Sequence, residues 1–240
     1  MPENGEQPVT KEEADEYALK VTQRYFDNFD KGYYNKHCVN MAVFTPGGWK
    51  VADRDEQARR GVTLEGMKNL KTPFKKAGRV TAANSSGLND GACVSLIMSG
   101  AKCKELGIKP KMRFVGAAFV GVDPSVMGWG PVPATEKVRK RCGMKFDDID
   151  IIELNEAFAV QAVGFMKHFG MQLPEDPRLS PYGGTIAIGH PLASSGVRLS
   201  IQLAQDFEMN PKARYGLTTM CVGLGMGGSI LWENVVGKDL

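Results

Sequence analysis

Hydrophobic and polar positions follow a helical period early in the chain and a mixed strand-and-helix pattern later. The clearest helical stripe begins after Thr10, where the segment TKEE has the composition of a capping box. In such a box the first hydroxyl and the carboxylate three positions later bond free backbone N–H groups of the first turn. The pattern predicts a helix that ends near Lys31-Gly32, and a shorter helix near residues 63–70. The positions expected on the buried face of the first helix are Ala14, Tyr17, Ala18, Val21, Phe26 and Phe29.

Short apolar runs alternate with amphipathic segments from Lys109 onward, and this alternation predicts a layered α/β domain. The predicted strands are residues 113–122, 149–154, 185–188, 216–221 and 229–236. The predicted helices are residues 134–142, residues 157–169 and a segment that Pro191 opens and that extends to Phe207.

A turn-rich block, TAANSSGLNDG at residues 81–91, separates these two regions. The apolar run at residues 92–98 follows, and its length and composition predict a buried strand. Gly100–Leu106 is predicted as a helix that ends at Gly107. A strand at residues 92–98 would need further strands from outside this chain to complete its sheet.

Two residues with useful chemistry, His190 and Cys221, stand at the ends of predicted strands. His190 lies between the run Thr185–Ile188 and Pro191, which predicts a strand-to-helix corner beside the positive end of a helix dipole. Cys221 ends its strand and is followed by a glycine-rich segment. Strand ends are where α/β enzymes keep reactive groups, and glycines let a ligand approach the backbone. The alternative is that both residues are structural.

Three segments in fixed order, NEAF at residues 155–158, GHP at 189–191 and CVG at 221–223, resemble the signature blocks of the thiolases. Thiolases make or cleave 3-ketoacyl-CoA, and the resemblance extends from about Thr10 to Glu233. It implies an α/β fold of layered αβαβα architecture. Residues 1–78 would form part of the CoA-covering loop domain, 79–108 the last strand and helix of the N-terminal domain, and 109–240 the C-terminal domain. The family's nucleophilic cysteine lies in an N-terminal half that these residues do not include.

The resemblance also implies catalytic roles. His190 would activate the nucleophilic cysteine and direct Nε2 at a thioester oxygen, and Asn155 would hold a water that completes this oxyanion hole. Cys221 would act as the acid/base, and the backbone N–H of Gly223 would serve a second oxyanion hole. These are the groups that acyl transfer needs, namely a base, an acid and donors for a developing oxyanion. Asn155 also suits the cap of the predicted helix that follows it.

Five further positions match CoA-contacting positions of the family. By the resemblance, Ser86 bonds the pantetheine amide, Phe74 lies beside the pantetheine arm, and Arg59 lies near the nucleotide end of CoA. Met127 and Phe158 would line the acyl pocket. The residues themselves leave other interpretations open, because Ser86 belongs to a turn-rich block and Arg59 to a solvated basic run.

Three positions depart from the family pattern. Ala193 and Leu224 stand where family members usually have glycine, and Ser180 stands near a usual asparagine. The added bulk of Ala193 and Leu224 is expected to narrow the acyl pocket or change its geometry. The reacting side chains are retained, so we expect a working site with an altered substrate preference.

Composition narrows the class of protein without identifying its activity. With 240 residues, 42% of them hydrophobic, the chain can bury a sizeable core. Five cysteines without CxxC spacing favour a reducing compartment, and the three histidines have no metal-ligand spacing. The net charge of +3 suits an anionic ligand such as CoA and equally an ordinary surface. No apolar run is long enough to span a bilayer, so we expect a cytoplasmic protein that binds no membrane, nucleic acid, metal or prosthetic cofactor.

The sequence therefore predicts one subunit of a split thiolase, which condenses acetyl-CoA to acetoacetyl-CoA or cleaves 3-ketoacyl-CoA. CoA thioesters are its substrates. A partner subunit with the N-terminal half would supply the nucleophilic cysteine, in a heterotetramer or larger complex. Two alternatives stay open, a non-catalytic CoA-binding or scaffold subunit and a truncated piece of a longer enzyme. The polar opening at residues 1–4 favours a genuine subunit over a truncated piece.

Overall fold

The structure is a computed structural model that describes residues 8–36 and 38–238. The polar opening at residues 1–4 lies outside the described residues. The helices are α1 (Lys11–Asp30), α2 (Leu64–Lys68), α3 (Gly100–Leu106), α4 (Pro131–Arg141), α5 (Ala159–His168), α6 (Thr185–Ile188) and α7 (Ser195–Met209). The strands are β1 (Met41–Thr45), β2 (Gly48–Ala52), β3 (Met112–Gly121), β4 (Ile151–Leu154), β5 (Tyr215–Val222) and β6 (Met226–Asn234).

Helix α1 forms where the capping pattern predicts it. The hydroxyl of Thr10 accepts the backbone N–H of Glu13 at 3.1 Å, and the Glu13 carboxylate accepts the backbone N–H of Thr10 at 2.8 Å. The helix ends at Asp30, and Gly32 follows with a φ of +77°. The predicted stripe faces the core, with Ala14, Tyr17, Ala18 and Val21 buried and Phe26 and Phe29 partly buried.

A four-stranded sheet in the order β3-β6-β5-β4 forms the centre of the second half of the chain. The strands β3, β6 and β5 pair antiparallel, whereas β5 and β4 pair parallel. The two parallel strands bring their carboxyl ends to one edge, where Leu154 pairs with Thr219. Four of the five predicted strands are confirmed, with ends shifted by at most three residues.

Helices cover both faces of this sheet. On one face, α7 packs so closely that a Cβ on Gly216 would lie 2.6 Å from Leu203 and 2.8 Å from Phe207. The alternation of side chains along β4 places Ile151 in this smaller core and Ile152 in the larger core on the other face, which α1, α4 and α5 share. The arrangement agrees with the predicted thiolase-like α/β architecture, of which the described residues form one sheet layer with its helices.

The strand predicted at residues 185–188 is wrong. Thr185–Ile188 forms a single helical turn, α6, and all four residues are buried. A four-residue apolar run between glycines has too little periodicity to distinguish a buried turn from a buried strand. His190 therefore follows a helix, and α7 begins at Ser195 rather than at Pro191.

The buried strand predicted at residues 92–98 is also wrong. Within the described chain this segment forms no strand, and Val94, Leu96 and Ile97 are each more than 80% exposed. Cys93 is partly buried. A strand needs neighbours for its backbone hydrogen bonds, and the described residues provide none at this place.

An antiparallel hairpin, β1–β2, occupies the glycine-interrupted stretch after α1, for which no strands are predicted from the sequence. Phe44 and Trp49 pair across it with their rings edge to face and their centroids 5.3 Å apart. Both side chains are 73% exposed. The apolar face of this hairpin therefore packs against no other part of the described chain to any large extent.

Candidate active site

The site lies at the sheet edge where the parallel strands β4 and β5 end. Asn155 directly follows β4, and its backbone N–H donates to the carbonyl of Thr219 on β5 at 2.9 Å. Cys221 lies near the end of β5. Because the strands are parallel neighbours, the amide and the thiol come to the same edge although 66 positions apart in the sequence.

His190 contacts Asn155 on one side and Ser195 on the other. Its Nε2 lies 3.3 Å from Nδ2 of Asn155, and its Nδ1 lies 2.7 Å from Oγ of Ser195. The Ser195 hydroxyl donates to the carbonyl of Pro191 at 3.1 Å. While the Ser195 proton is on this carbonyl, Ser195 accepts the proton of Nδ1–H, and the lone pair of the ring is on Nε2.

The environment of His190 favours the neutral imidazole. Burial lowers the pKa of His190 below its usual value, and the positive charge of Arg198 lowers it further. A neutral imidazole with a lone pair on Nε2 can accept a proton, so His190 is suited to act as a base near neutral pH.

Cys221 is buried and protonated. Its thiol donates to Oε1 of Gln161 at 3.4 Å, and Nε2 of Gln161 donates to the carbonyl of Asn155 at 3.2 Å. Burial raises the pKa of Cys221 to about 11. At neutral pH the thiol therefore carries a proton that it can donate, and Gln161 joins it to the Asn155 side of the site.

The turn after β5 leaves space at Gly223 and strain at Leu224. A Cβ on Gly223 would meet no atom of the chain within 4 Å, so its backbone is open to a ligand. Leu224 has a φ of +67°, the left-handed region that glycine adopts without cost, and its side chain is 89% exposed. Ser180 likewise has a positive φ of +43°, in a region that asparagine tolerates better than serine.

A cavity of about 560 Å³ opens beside the site. Its lining includes Phe74, Met127, Phe158 and Gln161, so the structure brings three of the predicted CoA and acyl contacts together. The rings of Phe74 and Phe158 lie edge to face with centroids 6.4 Å apart. Through Gln161 this cavity adjoins the thiol of Cys221.

The other predicted contacts have different places. Ser86 lies beside Ala157, and its hydroxyl donates to the carbonyl of Ala157 at 3.2 Å. Arg59 is exposed and does not line the cavity. Ala193 and Leu224 are both exposed and neither lines the cavity, so its lining gives no support to the expected narrowing of the acyl pocket.

The family model "Thiolase, C-terminal domain" matches residues 108–234, which is more than half of the chain, and "Thiolase, N-terminal domain" matches residues 4–101.

The chain belongs to the thiolase family.

Curated relatives give the same family. The chain is 40% identical over 242 residues to the 3-oxoadipyl-CoA/3-oxo-5,6-dehydrosuberyl-CoA thiolase of Escherichia coli strain K12, an alignment that covers 98% of this chain and 60% of that protein. It is 41% identical over 229 residues to a 3-ketoacyl-CoA thiolase of Idiomarina loihiensis, with 95% and 59% covered. The thiolase chain described here therefore spans about 60% of the length of the relatives that it matches.

Solved thiolase structures share the fold. The acetyl-CoA acetyltransferase of Bacillus anthracis superposes with a TM-score of 0.88 at 34% identity, covering 94% of this chain and 56% of that one. Human mitochondrial 3-ketoacyl-CoA thiolase superposes with a TM-score of 0.85 at 35% identity, with the same coverage.

In the part of this thiolase chain that the structure describes, no helix has the length and apolarity to cross a membrane.

Two contacts of the candidate site, those of Ser195 and Gln161, have no clear signal in the sequence. Ser195 follows His190 by five residues, and its role depends on the loop that precedes α7. Gln161 is one of several polar residues of α5, and its contact with Cys221 depends on how α5 packs against β5. A glutamine in the first turn of a helix does not by itself indicate whether it contacts a site or is a buried polar residue.

Glu156 accepts hydrogen bonds from two distant parts of the chain. Its carboxylate accepts the hydroxyl of Tyr17 from α1 at 2.6 Å and the backbone N–H of Ile186 at 3.1 Å. The N-cap of α5 is Phe158, so Asn155 does not cap this helix. Glu156 thus connects α1 through hydrogen bonds to α6, which precedes His190 in the sequence.

Proposed function

We propose that this chain supplies the histidine and the acid/base cysteine of a thiolase active site, which transfers acyl groups between CoA thioesters. The observation that carries the proposal is the neutral His190, whose Nε2 lone pair lies beside Asn155, at a sheet edge that also holds the protonated Cys221. A base and an acid of this kind are what thiolytic cleavage and its reverse, Claisen condensation, both require.

In the cleavage direction, Nε2 of His190 takes the proton of a cysteine thiol, and the thiolate attacks the keto carbon of a 3-ketoacyl-CoA. The bond between carbons 2 and 3 breaks, and the electron pair stays on the acetyl-CoA fragment. The thiol of Cys221 gives its proton to that fragment, which leaves an acyl group on the nucleophilic cysteine. A CoA thiol then gives its proton to the Cys221 thiolate and takes this acyl group, and the released cysteine thiolate recovers its proton from Nε2 of His190.

The polar groups around these residues would stabilise the oxyanions that form. Asn155 and His190 form one donor pair after the imidazole has become protonated, and the open backbone N–H of Gly223 serves a second oxygen. Donors that are already held in place cost no reorganisation during the reaction, and one such donor contributes about 10²–10³ in rate.

We infer a CoA thioester as the substrate, because the cavity next to Cys221 is lined mainly by apolar and aromatic side chains that suit a pantetheine arm and an acyl chain. Phe74, Met127 and Phe158 would hold this part of the substrate, and Ser86 would bond an amide of the arm. The relatives compared above are named for 3-oxoadipyl-CoA and 3-ketoacyl-CoA, and these names support a 3-ketoacyl-CoA as the proposed substrate.

We infer further that a complementing N-terminal half supplies the nucleophilic cysteine. The chain spans about 60% of the length of its relatives, and the segment at residues 92–98 exposes Val94, Leu96 and Ile97. Pairing this segment with further strands would bury these side chains. A partner subunit that carries this half, in a heterotetramer or larger complex, would provide both the nucleophilic cysteine and the pairing strands.

The proposed function is tested by substitution of the base. When the chain is mixed with the N-terminal portion of the Escherichia coli relative, His190→Ala should lower cleavage of acetoacetyl-CoA by about 10²–10³ or more, because a base and an oxyanion donor are both lost. His168→Ala, at the far end of α5, is the matched control and should retain activity. Unchanged cleavage in His190→Ala would contradict the proposal. Binding of CoA without any cleavage in the mixture would favour the scaffold alternative.

A further inference from the structure

The hydrogen bonds that surround His190 begin at an arginine. Arg198, in the first turn of α7, donates from Nη2 to Oγ1 of Thr185 at 2.6 Å. A guanidinium group has donors and no acceptor. Thr185 must therefore accept at this contact, and its single hydroxyl proton is free to be donated elsewhere.

That proton reaches Asn155. Oγ1 of Thr185 donates to Oδ1 of Asn155 at 3.3 Å, and Thr185 is fully buried. The oxygen of the Asn155 amide is thus fixed towards Thr185, and its Nδ2 group is turned towards Nε2 of His190 at 3.3 Å. An amide NH₂ group can only donate, so Nε2 must be the unprotonated nitrogen.

The contact of Nδ1 with Ser195, on the other side of the ring, is compatible with this tautomer but does not require it. Nδ1–H of His190 donates to Ser195, and Ser195 donates to the carbonyl of Pro191. That carbonyl also accepts the backbone N–H groups of Ser194 and Ser195, at 2.9 Å and 3.0 Å. The Ser195 hydroxyl could therefore turn to donate to Nδ1 without leaving the Pro191 carbonyl unsatisfied, and the opposite tautomer would be accommodated on this side.

We propose that Arg198 is a positioning residue that fixes the tautomer of His190, through Thr185 and Asn155, so that the lone pair is on Nε2. Thr185, Asn155 and His190 can each donate and accept, whereas Arg198 can only donate. Arg198 is therefore the member of this relay that fixes the direction of the hydrogen bonds. Arg198 does not touch the reacting atoms in this account. Its second guanidinium nitrogen donates to Oε1 of Gln202 at 3.3 Å, and Gln202 donates to the carbonyl of Gly183, which holds the guanidinium in place.

The charge of Arg198 acts in the same sense as its hydrogen bond. Burial, and after it the positive charge of Arg198, lowers the pKa of His190. One residue thus favours both the neutral ring and the tautomer in which Nε2 is free. The importance of this for catalysis rests on the proposed function, whereas the tautomer itself does not.

The test is nuclear magnetic resonance of the full chain labelled with ¹⁵N at histidine. The chain has three histidines, and His190 is assigned by the signal that disappears in His190→Asn. In the unchanged chain the Nδ1 signal of His190 should be of the protonated type and the Nε2 signal of the unprotonated type. Arg198→Met should convert this pattern to a mixture of tautomers and raise the pKa of His190. Arg198→Lys keeps a cation that donates, and should restore the original pattern.

Arg214→Met, which removes an arginine that stacks on Tyr215 at the start of β5, is the matched control and should change neither signal. Circular dichroism confirms that each variant is folded, and if Arg198→Met fails to fold, Arg198→Gln replaces it, with a higher pKa as the expected result. An unchanged tautomer and pKa in the folded variants would overturn the role of Arg198. Since no step of the test needs catalysis, it is independent of whether the proposed function fails.

Discussion

Burial shifts the pKa of the His190 imidazole and the pKa of the Cys221 thiol in opposite directions. Burial disfavours the charged form of any ionisable group, so it lowers the pKa of an imidazole and raises that of a thiol. Both groups are therefore neutral near pH 7, where the imidazole is ready to take a proton and the thiol to give one. The two oppositely directed shifts agree with the proposed roles, in which His190 is the base and Cys221 the acid.

Replacement of the acid tests its assignment. Cys221→Ser should preserve the fold, because serine is similar in size and Gln161 can still accept its proton. Acyl transfer with the complementing half should fall by orders of magnitude, because the pKa of a hydroxyl is far too high for an acid/base role. The measurement is the rate of acetoacetyl-CoA cleavage. Cys38→Ser, at an exposed cysteine, serves as the control, and full activity in Cys221→Ser would refute the assignment.

The pH dependence of kcat/KM follows from the same two shifts. His190 acts as a base only when unprotonated, so activity rises as the pH increases through its lowered pKa, and this acid limb should lie below the usual value of 6.5. Cys221 acts as an acid only when protonated, so activity should fall only as the pH approaches about 11. A profile measured with the complemented enzyme checks both limbs. An acid limb above pH 6.5 would contradict the neutral, buried histidine.

At the scale of elements, local signals were sufficient where the structure depends on neighbouring residues. The capping box of α1 and the short apolar runs of β3, β4, β5 and β6 are local signals, and these elements form as predicted. The turn at Thr185–Ile188 depends on burial by elements distant in sequence, and residues 92–98 lack the neighbours that would make them a strand. Sequence periodicity contains neither kind of information.

The site shows the same division. Asn155, His190 and Cys221 were identifiable because each stands in a motif, and the structure links Asn155 directly to His190 and, through Gln161, to Cys221. The contacts of Gln161 and Ser195 arise from the packing of α5 and from the loop before α7, so no motif marks them. Arg59 matched a family position, but its side chain lies away from the cavity.

The turn between β5 and β6 provides a prediction about stability. Leu224 has a left-handed backbone and an exposed side chain that contributes little packing. Leu224→Gly should therefore raise the free energy of unfolding by about 0.5–1 kcal/mol, since the relief of backbone strain exceeds the entropy that glycine adds to the unfolded chain. Urea denaturation measures the change. Leu192→Gly, at another exposed leucine that has no positive φ, should lower the stability, and the same loss in Leu224→Gly would contradict the argument.

At the scale of the whole molecule, the main feature is an exposed apolar segment at residues 92–98. Val94, Leu96 and Ile97 are exposed next to a block, residues 81–91, in which the carbonyl of Gly87 and the side-chain oxygen of Asn89 accept the backbone N–H of His190. A surface that pairs with this segment would thus lie close to His190, which is where the proposed complementing half would have to bring its cysteine. Such an interface would be of the obligate type, on the order of 2,000 Å² or more.

The most direct test of the split active site is a titration of this chain with a complementing N-terminal half that carries the nucleophilic cysteine. Cleavage of acetoacetyl-CoA is measured at a fixed concentration of this chain, and light scattering reports its state of association. We expect no cleavage by the chain alone, a rise that saturates at equimolar complement, and loss of the rise when the nucleophilic cysteine of the complement is replaced by alanine. A stable monomer that cleaves acetoacetyl-CoA without any complement would contradict the account.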